Sequence, residues 1–293
     1  MCSGTIMDKL VSFALPLMLS GILQLMFNAV DIIVVGRFSG SGALAAVGST
    51  TALINVFTNL FIGISLGANV LAARYYAAGK AREMSETVHT AIAMALVSGI
   101  VMAVVGVVFA RGALELMGTP EDVIGKSALY MRIYFCGMPF FMLYNYGAAI
   151  LRAVGDTKRP LFFLVISGVV NAALNVFLVV AFQLDVAGVG IATVISQAIS
   201  CVLVLSCLYR TDSSYQLRVS RLRIQWCYLK RIFEVGVPAG IQSTVINLSN
   251  VLLQSSVNSF GSIAMAGYTA ANNIFGFLYV SVNSVTQACM SFT

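Results

Sequence analysis

The stretch LVSFALPLMLSGILQLMFNAVDIIVV, residues 10–35, runs for 26 residues with Asp31 as its only charged side chain. About 20 apolar residues at 1.5 Å rise cross the hydrocarbon core of a bilayer, so this run reads as a membrane-spanning helix. Seven more runs of comparable length follow, at 50–73, 90–110, 128–151, 161–182, 189–208, 235–257 and 268–292. Of the whole chain of 293 residues, 59% are hydrophobic and 10% charged, where a soluble globular domain carries roughly 25% charged residues. An ordinary soluble protein is thereby excluded, and the expected class is an all-α polytopic membrane protein. The first run is too long for a signal-peptide core and has no small-residue cleavage pattern, so no cleavage is expected.

The charges fix an orientation. With the N-terminus inside, thirteen of the seventeen Lys and Arg fall on the cytoplasmic side, against Arg37, Arg111, Lys126 and Arg132 outside. That asymmetry predicts cytoplasmic N- and C-termini in the inner (plasma) membrane. The surplus of +6 therefore reports topology, and its dispersal between apolar runs excludes a nucleic-acid patch. The long polar connection before the seventh run holds six of the inside charges and the only Trp, Trp226, which suits a segment at the membrane interface. The expected organisation is a six-helix transmembrane lobe at 1–208, a basic cytoplasmic linker at 209–234, and the start of a second lobe at 235–293. Cys2, Cys136, Cys201, Cys207, Cys227 and Cys289 have no CxxC or Cys/His spacing, so neither a disulfide framework nor a zinc site is expected.

An internal repeat supports two lobes. A shift of 222 residues pairs Pro16 with Pro238, Asn28 with Asn250 and Phe38 with Phe260; a shift of 221 then pairs Gly40 with Gly261, Ala43 with Ala264 and Ala45 with Ala266. The seventh and eighth spans thus echo the first and second. Six helices per unit, an even number, place the second copy parallel to the first, about an axis along the membrane normal, as in transporters.

Asp31 is the only acid well inside an apolar run. A carboxylate in hydrocarbon costs several kcal/mol unless it is neutralised, so such residues face cavities and carry protons or ions. Two blander readings stand beside this one: a hydrogen-bonded core Asp, and an outer-end residue reaching the interface beside Arg37. Gln24, Asn28 and Asp31 share one helix face at i, i+4 and i+7, which implies a wet or partnered stripe. Ser167, Asn171 and Asn175 repeat the pattern in the fifth span, and Thr193 and Gln197 lie one turn apart in the sixth. These oxygens can complete a cation site or make interhelical hydrogen bonds worth about 0.6 kcal/mol each. Pro16 and Pro139 each remove a backbone bond inside a span, giving either a gate for Asp31 or a static kink. Gly63 and Gly67 form a GxxxG expected to serve close helix packing.

Other matches fail on context. GSGALAA at 40–46 imitates a dinucleotide fingerprint but follows a membrane helix instead of a strand. His89 reads as an interfacial residue at the cytoplasmic start of the third span, and the sequon at Asn247 lies inside a span. No nucleophile and base pair is visible, so an enzyme is not expected.

The ordered set VDIIVVGRFSGSGALAAVG (30–48), ARYYAAG (73–79), LRAVGDTKRP (151–160), NAALNVFL (171–178) and GVGIATVISQ (188–197) resembles the multidrug and toxic compound extrusion (MATE) family, particularly its bacterial drug exporters. The resemblance implies twelve helices in two lobes, a cavity alternating between the two sides, and antiport of organic cations against H+ or Na+, without a cofactor. It matches Asp31 to the family's first-helix acid and Asn171 and Thr193 to its polar partners; with Asn175, one turn after Asn171, these form the expected cation-coupling site, where Na+ is the one metal ion implied. Gln24, Asn28 and Asn145 are assigned to the substrate cavity and Pro16 to helix bending. Some members carry Asp where this chain has Asn175, and the seventh span lacks an acid found in some relatives, which leaves Asp31 as the sole intramembrane candidate and puts Na+ preference in doubt. The chain ends at Thr293 with the second lobe begun, so four helices of the family pattern are expected to be missing. Two rivals remain: a lipid-linked precursor flippase of the same superfamily, expected to have a cationic central cavity although no basic residue lies deep in these runs, and a membrane fragment that does not transport.

Overall fold

The computed structural model describes residues 6–116, 121–258, 275–276 and 278–289. Within them the chain is helical almost throughout. The helices are α1 (Ile6–Phe38), α2 (Gly40–Ala77), α3 (Ala81–Leu116), α4 (Glu121–Cys136), α5 (Met138–Ala153), α6 (Lys158–Val176), α7 (Asp185–Arg210) and α8 (Trp226–Asn258). A π-helical turn, Phe177–Ala181, extends α6, a short 3-10 turn, Val219–Arg221, lies before α8, and residues 278–289 are helical. Five of these segments, in α1, α2, α3, α6 with its π turn, and α7, are long and apolar enough to cross a membrane.

The fourth apolar run is divided into α4 and α5 at Gly137, with Pro139 in the first turn of α5. Pro is tolerated there because a first-turn N–H has no intrahelical partner, and a Cβ on Gly137 would lie 2.8 Å from Val194 Cγ2 of α7. Pro16 behaves differently: α1 continues through it without interruption. The second helix starts ten residues before its apolar run, with Ser39 alone separating it from α1. The Ala-rich residues of 43–52 favour helix over the loop that their lower hydropathy suggested.

Large side chains meet in a core of the first lobe where Met84, Phe135, Met138, Met142 and Tyr146 are fully buried. The outer faces carry exposed Val104, Phe109, Phe162 and Val202, as expected where the neighbour is lipid. α2 is the central element, touching α1, α3, α4, α5 and, most extensively, α8.

That last contact joins the two repeats. Gly63 and Gly67 of α2 face Gly236 and Gly240 of α8: a Cβ on Gly63 would stand 2.2 Å from Gly240 Cα, and one on Gly236 would stand 2.6 Å from Ile64 Cα. The helices approach backbone to backbone, which only small residues allow, so the GxxxG serves packing. On the other side Phe13, Ala14 and Leu17 of α1 bury themselves with Ala288 of the 278–289 helix. The first span therefore meets the eighth and the second meets the seventh, the crossed pairing that two parallel repeats about one axis produce.

The connection between α7 and α8 is docked on the start of α3. Arg218 N–H donates to His89 Nε2 (3.1 Å), Gln225 N–H donates to Thr90 Oγ1 (3.4 Å), and Glu86 accepts from Arg223 (3.3 Å) and from Gln225. His89 Nδ1 lies 2.6 Å from Ser85 O. A ring that donates from Nδ1 and accepts at Nε2 is neutral. His89, 2% exposed, is thus a buried anchor for the connection and not an interfacial side chain. Trp226, 75% exposed, opens α8, so residues 226–234 are helical.

Candidate functional site

Asp31 stands on the face of α1 that meets α6, four turns beyond Pro16. Its Oδ1 accepts a hydrogen bond from Asn175 Nδ2 across 144 residues of sequence. The same Asn175 amide nitrogen reaches Asn171 Oδ1 at 3.1 Å, and Asn171 Nδ2 contacts Ser196 Oγ of α7 at 3.4 Å. Three helices are therefore joined by one polar chain, Asp31, Asn175, Asn171 and Ser196. Asn171 and Asn175 are buried and Asp31 is half-buried. Their i, i+4 spacing on α6 is what brings both amides to the same side.

The chain of amides borders a cavity of about 380 Å³ inside the first lobe, lined by Gln24, Asn28 and Asp31 from α1, Asn145 from α5, Asn171 from α6 and Thr193 from α7. Ser167 and Gln197 line it as well, so eight of the nine polar residues singled out along these spans border one cavity, and the ninth, Asn175, binds Asp31. Thr193 Oγ1 donates to Val189 O (2.9 Å) and Asn145 Nδ2 to Phe141 O (2.8 Å), which leaves the oxygens of both available as acceptors. Asp31 is hydrogen-bonded, as the reading of a hydrogen-bonded core Asp has it, and it also borders the cavity. Pro16 is buried and does not line the cavity.

Two buried oxygens here lack a donor: Asn175 Oδ1 beside the carboxylate, and Gln197 Oε1. An orphaned buried acceptor is costly and fits a site that a proton or cation completes. Sequence reading missed the aromatic wall. Tyr130 and Tyr134, one turn apart on α4 with ring centroids 6.2 Å from each other, line the cavity with Tyr144 and Phe141. Their i, i+4 spacing was the available clue, masked by their place inside an apolar run.

Just beyond α6 the chain turns sharply: Gln183 and Asp185 adopt φ of 52° and 50°, a region that L-residues rarely occupy. Asp185 Oδ2 then pairs with Lys126 Nζ of α4 at 2.6 Å, tying the start of α7 to the first turns of α4.

A larger cavity, about 700 Å³, opens between the repeats, walled by α1, α2, α5, α8, residues 275–276 and the 278–289 helix. Arg152 lines it. The sequence placed this residue among the cytoplasmic positives just after the fourth span and left no basic residue deep in the runs. Because α5 continues to Ala153, Arg152 belongs to the helix and faces the central space.

Comparison with known proteins gives this geometry a lineage. The MatE family model matches residues 16–177, more than half of the chain and all of α1 to α6 beyond Pro16. The probable multidrug resistance protein YoeA of Bacillus subtilis (strain 168) is 35% identical over 289 residues, covering 96% of this chain and 62% of that protein. A crystal structure of MATE in the bent conformation superposes with a TM-score of 0.90 at 21% identity, covering 98% of this chain and 64% of that one. A multidrug resistance MATE transporter of the MOP superfamily in its outward-facing conformation gives a TM-score of 0.90, again at 21% identity. The chain spans about 62% of the length of the curated relative. With more than half of its residues matched by the family model and the helical fold in common, the chain belongs to the MatE family.

Proposed function

We propose that this chain works as a secondary active multidrug efflux transporter of the plasma membrane, exporting organic, often cationic small molecules in exchange for H+ or Na+ coupled through Asp31. In this reading residues 1–208 form the first lobe, 209–234 a cytoplasmic linker and 235–293 the start of the second, with both ends inside the cell. The observation that carries it is the Asp31 carboxylate at a cavity wall, held by Asn175 beside an oxygen that has no donor.

Ionised Asp31 accepts from the Asn175 amide nitrogen. A protonated Asp31 has an O–H to donate, and Asn175 meets it by turning its amide so that Oδ1 accepts. The Asn171 and Ser196 contacts carry that change to α6 and α7. A Na+ ion is the other group this oxygen set could hold, with Asp31 as its single charge. Export follows if cargo binds while Asp31 is ionised and leaves when a proton or cation arrives from outside. One charge crossing roughly 150 mV yields about 3.5 kcal/mol, enough for about a 300-fold gradient of a neutral cargo. A monovalent cation exchanged for one proton gains little from voltage and relies on the pH gradient.

The test is ethidium efflux from pump-deficient bacteria expressing the chain or its Asp31→Asn variant at matched membrane abundance. Efflux by the native chain that disappears in the variant supports the reading. Efflux that is equal in both removes Asp31 from coupling, and none from either removes transport by this chain.

A further inference from the structure

Among the described residues the cavity between the repeats carries one charge, and it is positive. The described wall contains Arg152 and no Asp or Glu. Arg152 Nε donates to Ala148 O at 3.2 Å in its own last helical turn. Among the described residues no carboxylate lies within ion-pair distance of it. A guanidinium has five N–H donors in a planar fork, so both Nη groups remain for something other than this chain. Nearby, Asn69 Nδ2 donates to Ala149 O (2.7 Å) and fixes α2 against α5 close to the Arg152 turn. Asn283 and Gln287, one turn apart, also line the cavity, while Phe13 and Tyr279 supply apolar and aromatic wall. The space is thus amphipathic, with a cation at one place and ring-sized apolar surface elsewhere.

We infer that this cavity contains an anion subsite centred on Arg152, which takes the carboxylate or phosphate of an aromatic amphiphile. As a cargo subsite it rests on the export reading, and it extends the cargo from simple cations to molecules that also carry an anionic group. The bidentate fork of Arg152 would hold the anionic group while the ring system lies on the apolar wall. A lipid headgroup entering between the repeats offers the same phosphate chemistry.

Rhodamine B and its ethyl ester share one cationic ring system and differ in a free carboxylate, so they isolate the subsite. Their binding to the purified full chain in phosphatidylcholine nanodiscs, followed by fluorescence anisotropy, should favour rhodamine B about tenfold, a difference of about 1.4 kcal/mol. Arg152→Gln should erase the preference by weakening rhodamine B alone, and Arg152→Lys should keep part of it. Displacement of rhodamine B by phosphatidylglycerol in the disc assigns the anionic group to a lipid, displacement by inorganic phosphate assigns it to a soluble anion, and displacement by neither assigns it to a carboxylate cargo. Equal affinities of the native chain for the two dyes, binding of neither, or an unchanged ratio in folded Arg152→Gln overturns the proposal. If Arg152→Gln does not fold, the native ratio and Arg152→Lys decide. Lost preference with Asp31-dependent efflux intact removes only the subsite, whereas intact preference without efflux removes only the transport reading.

Discussion

Replacing Gly63 by Ala should separate the two repeats where α2 and α8 meet backbone to backbone. The new Cβ would sit 2.2 Å from Gly240 Cα and 2.4 Å from Gly240 N, against about 3.5–4.0 Å for unstrained carbon contacts. Both obstructing atoms are backbone, so no side chain can swing aside, and α2 and α8 must move apart by more than about 1 Å. A gap of that size forfeits a quarter to a half of each contact's dispersion energy. Overpacking of this kind costs about 1–3 kcal/mol. For a cooperative unit near this size, about 2 kcal/mol corresponds to a melting temperature about 4–8 °C lower. The assay is thermal unfolding of the purified protein in detergent, with Gly112→Ala as control, since a Cβ there meets nothing within 4 Å. The control should hold or rise slightly through helix propensity. If Gly63→Ala melts with the control, the backbone contact between α2 and α8 is not a stabilising feature and the reasoning fails.

Other expectations follow from single contacts. Asn175→Asp would set a second carboxylate against Asp31, and two like charges so close favour a bound cation or a shared proton; efflux should then become faster in Na+ than in choline buffer, and an unchanged response to Na+ would count against the site. His89→Ala removes the acceptor of Arg218 N–H, a bond worth about 1 kcal/mol, so trypsin should cut at Arg218, Arg221 or Arg223 roughly fivefold faster through the more frequently open connection. Unchanged cleavage would mean that the Glu86 contacts alone hold it.

Much of this molecule could be read from the chain because hydrocarbon permits so few solutions: runs of about 20 apolar residues must be helices. Asp31 stood out for the same reason, as a charge with no cheap way to be there. The stripe of Gln24, Asn28 and Asp31 on one face led to a cavity wall. What the sequence hid depended on distance along the chain or on small offsets. The bond from Asn175 to Asp31 joins residues 144 apart, and nothing local distinguishes an Asn that holds a carboxylate from one that ligates an ion. Arg152 fell one residue past the end of an apolar run and was counted only as a topology charge, so its place on a cavity wall, set by a two-residue extension of α5, was not legible. Tyr130 and Tyr134 were counted as apolar bulk, and the π turn after Asn175 has no sequence pattern of its own. His89 was placed by hydropathy at an interface, whereas its two ring nitrogens secure the connection from α7 to α8.

The central claim is that the Asp31 carboxylate couples a cationic cargo to an incoming proton or cation, and equilibrium binding of ethidium to the purified full chain across acid to mildly alkaline pH tests it most directly. An ionised carboxylate attracts the cation and a protonated one does not, so affinity in the native protein should fall as pH falls, while Asp31→Asn should bind more weakly and show no pH dependence over that range. The same pH dependence in both proteins would place the titrating group elsewhere and contradict the account.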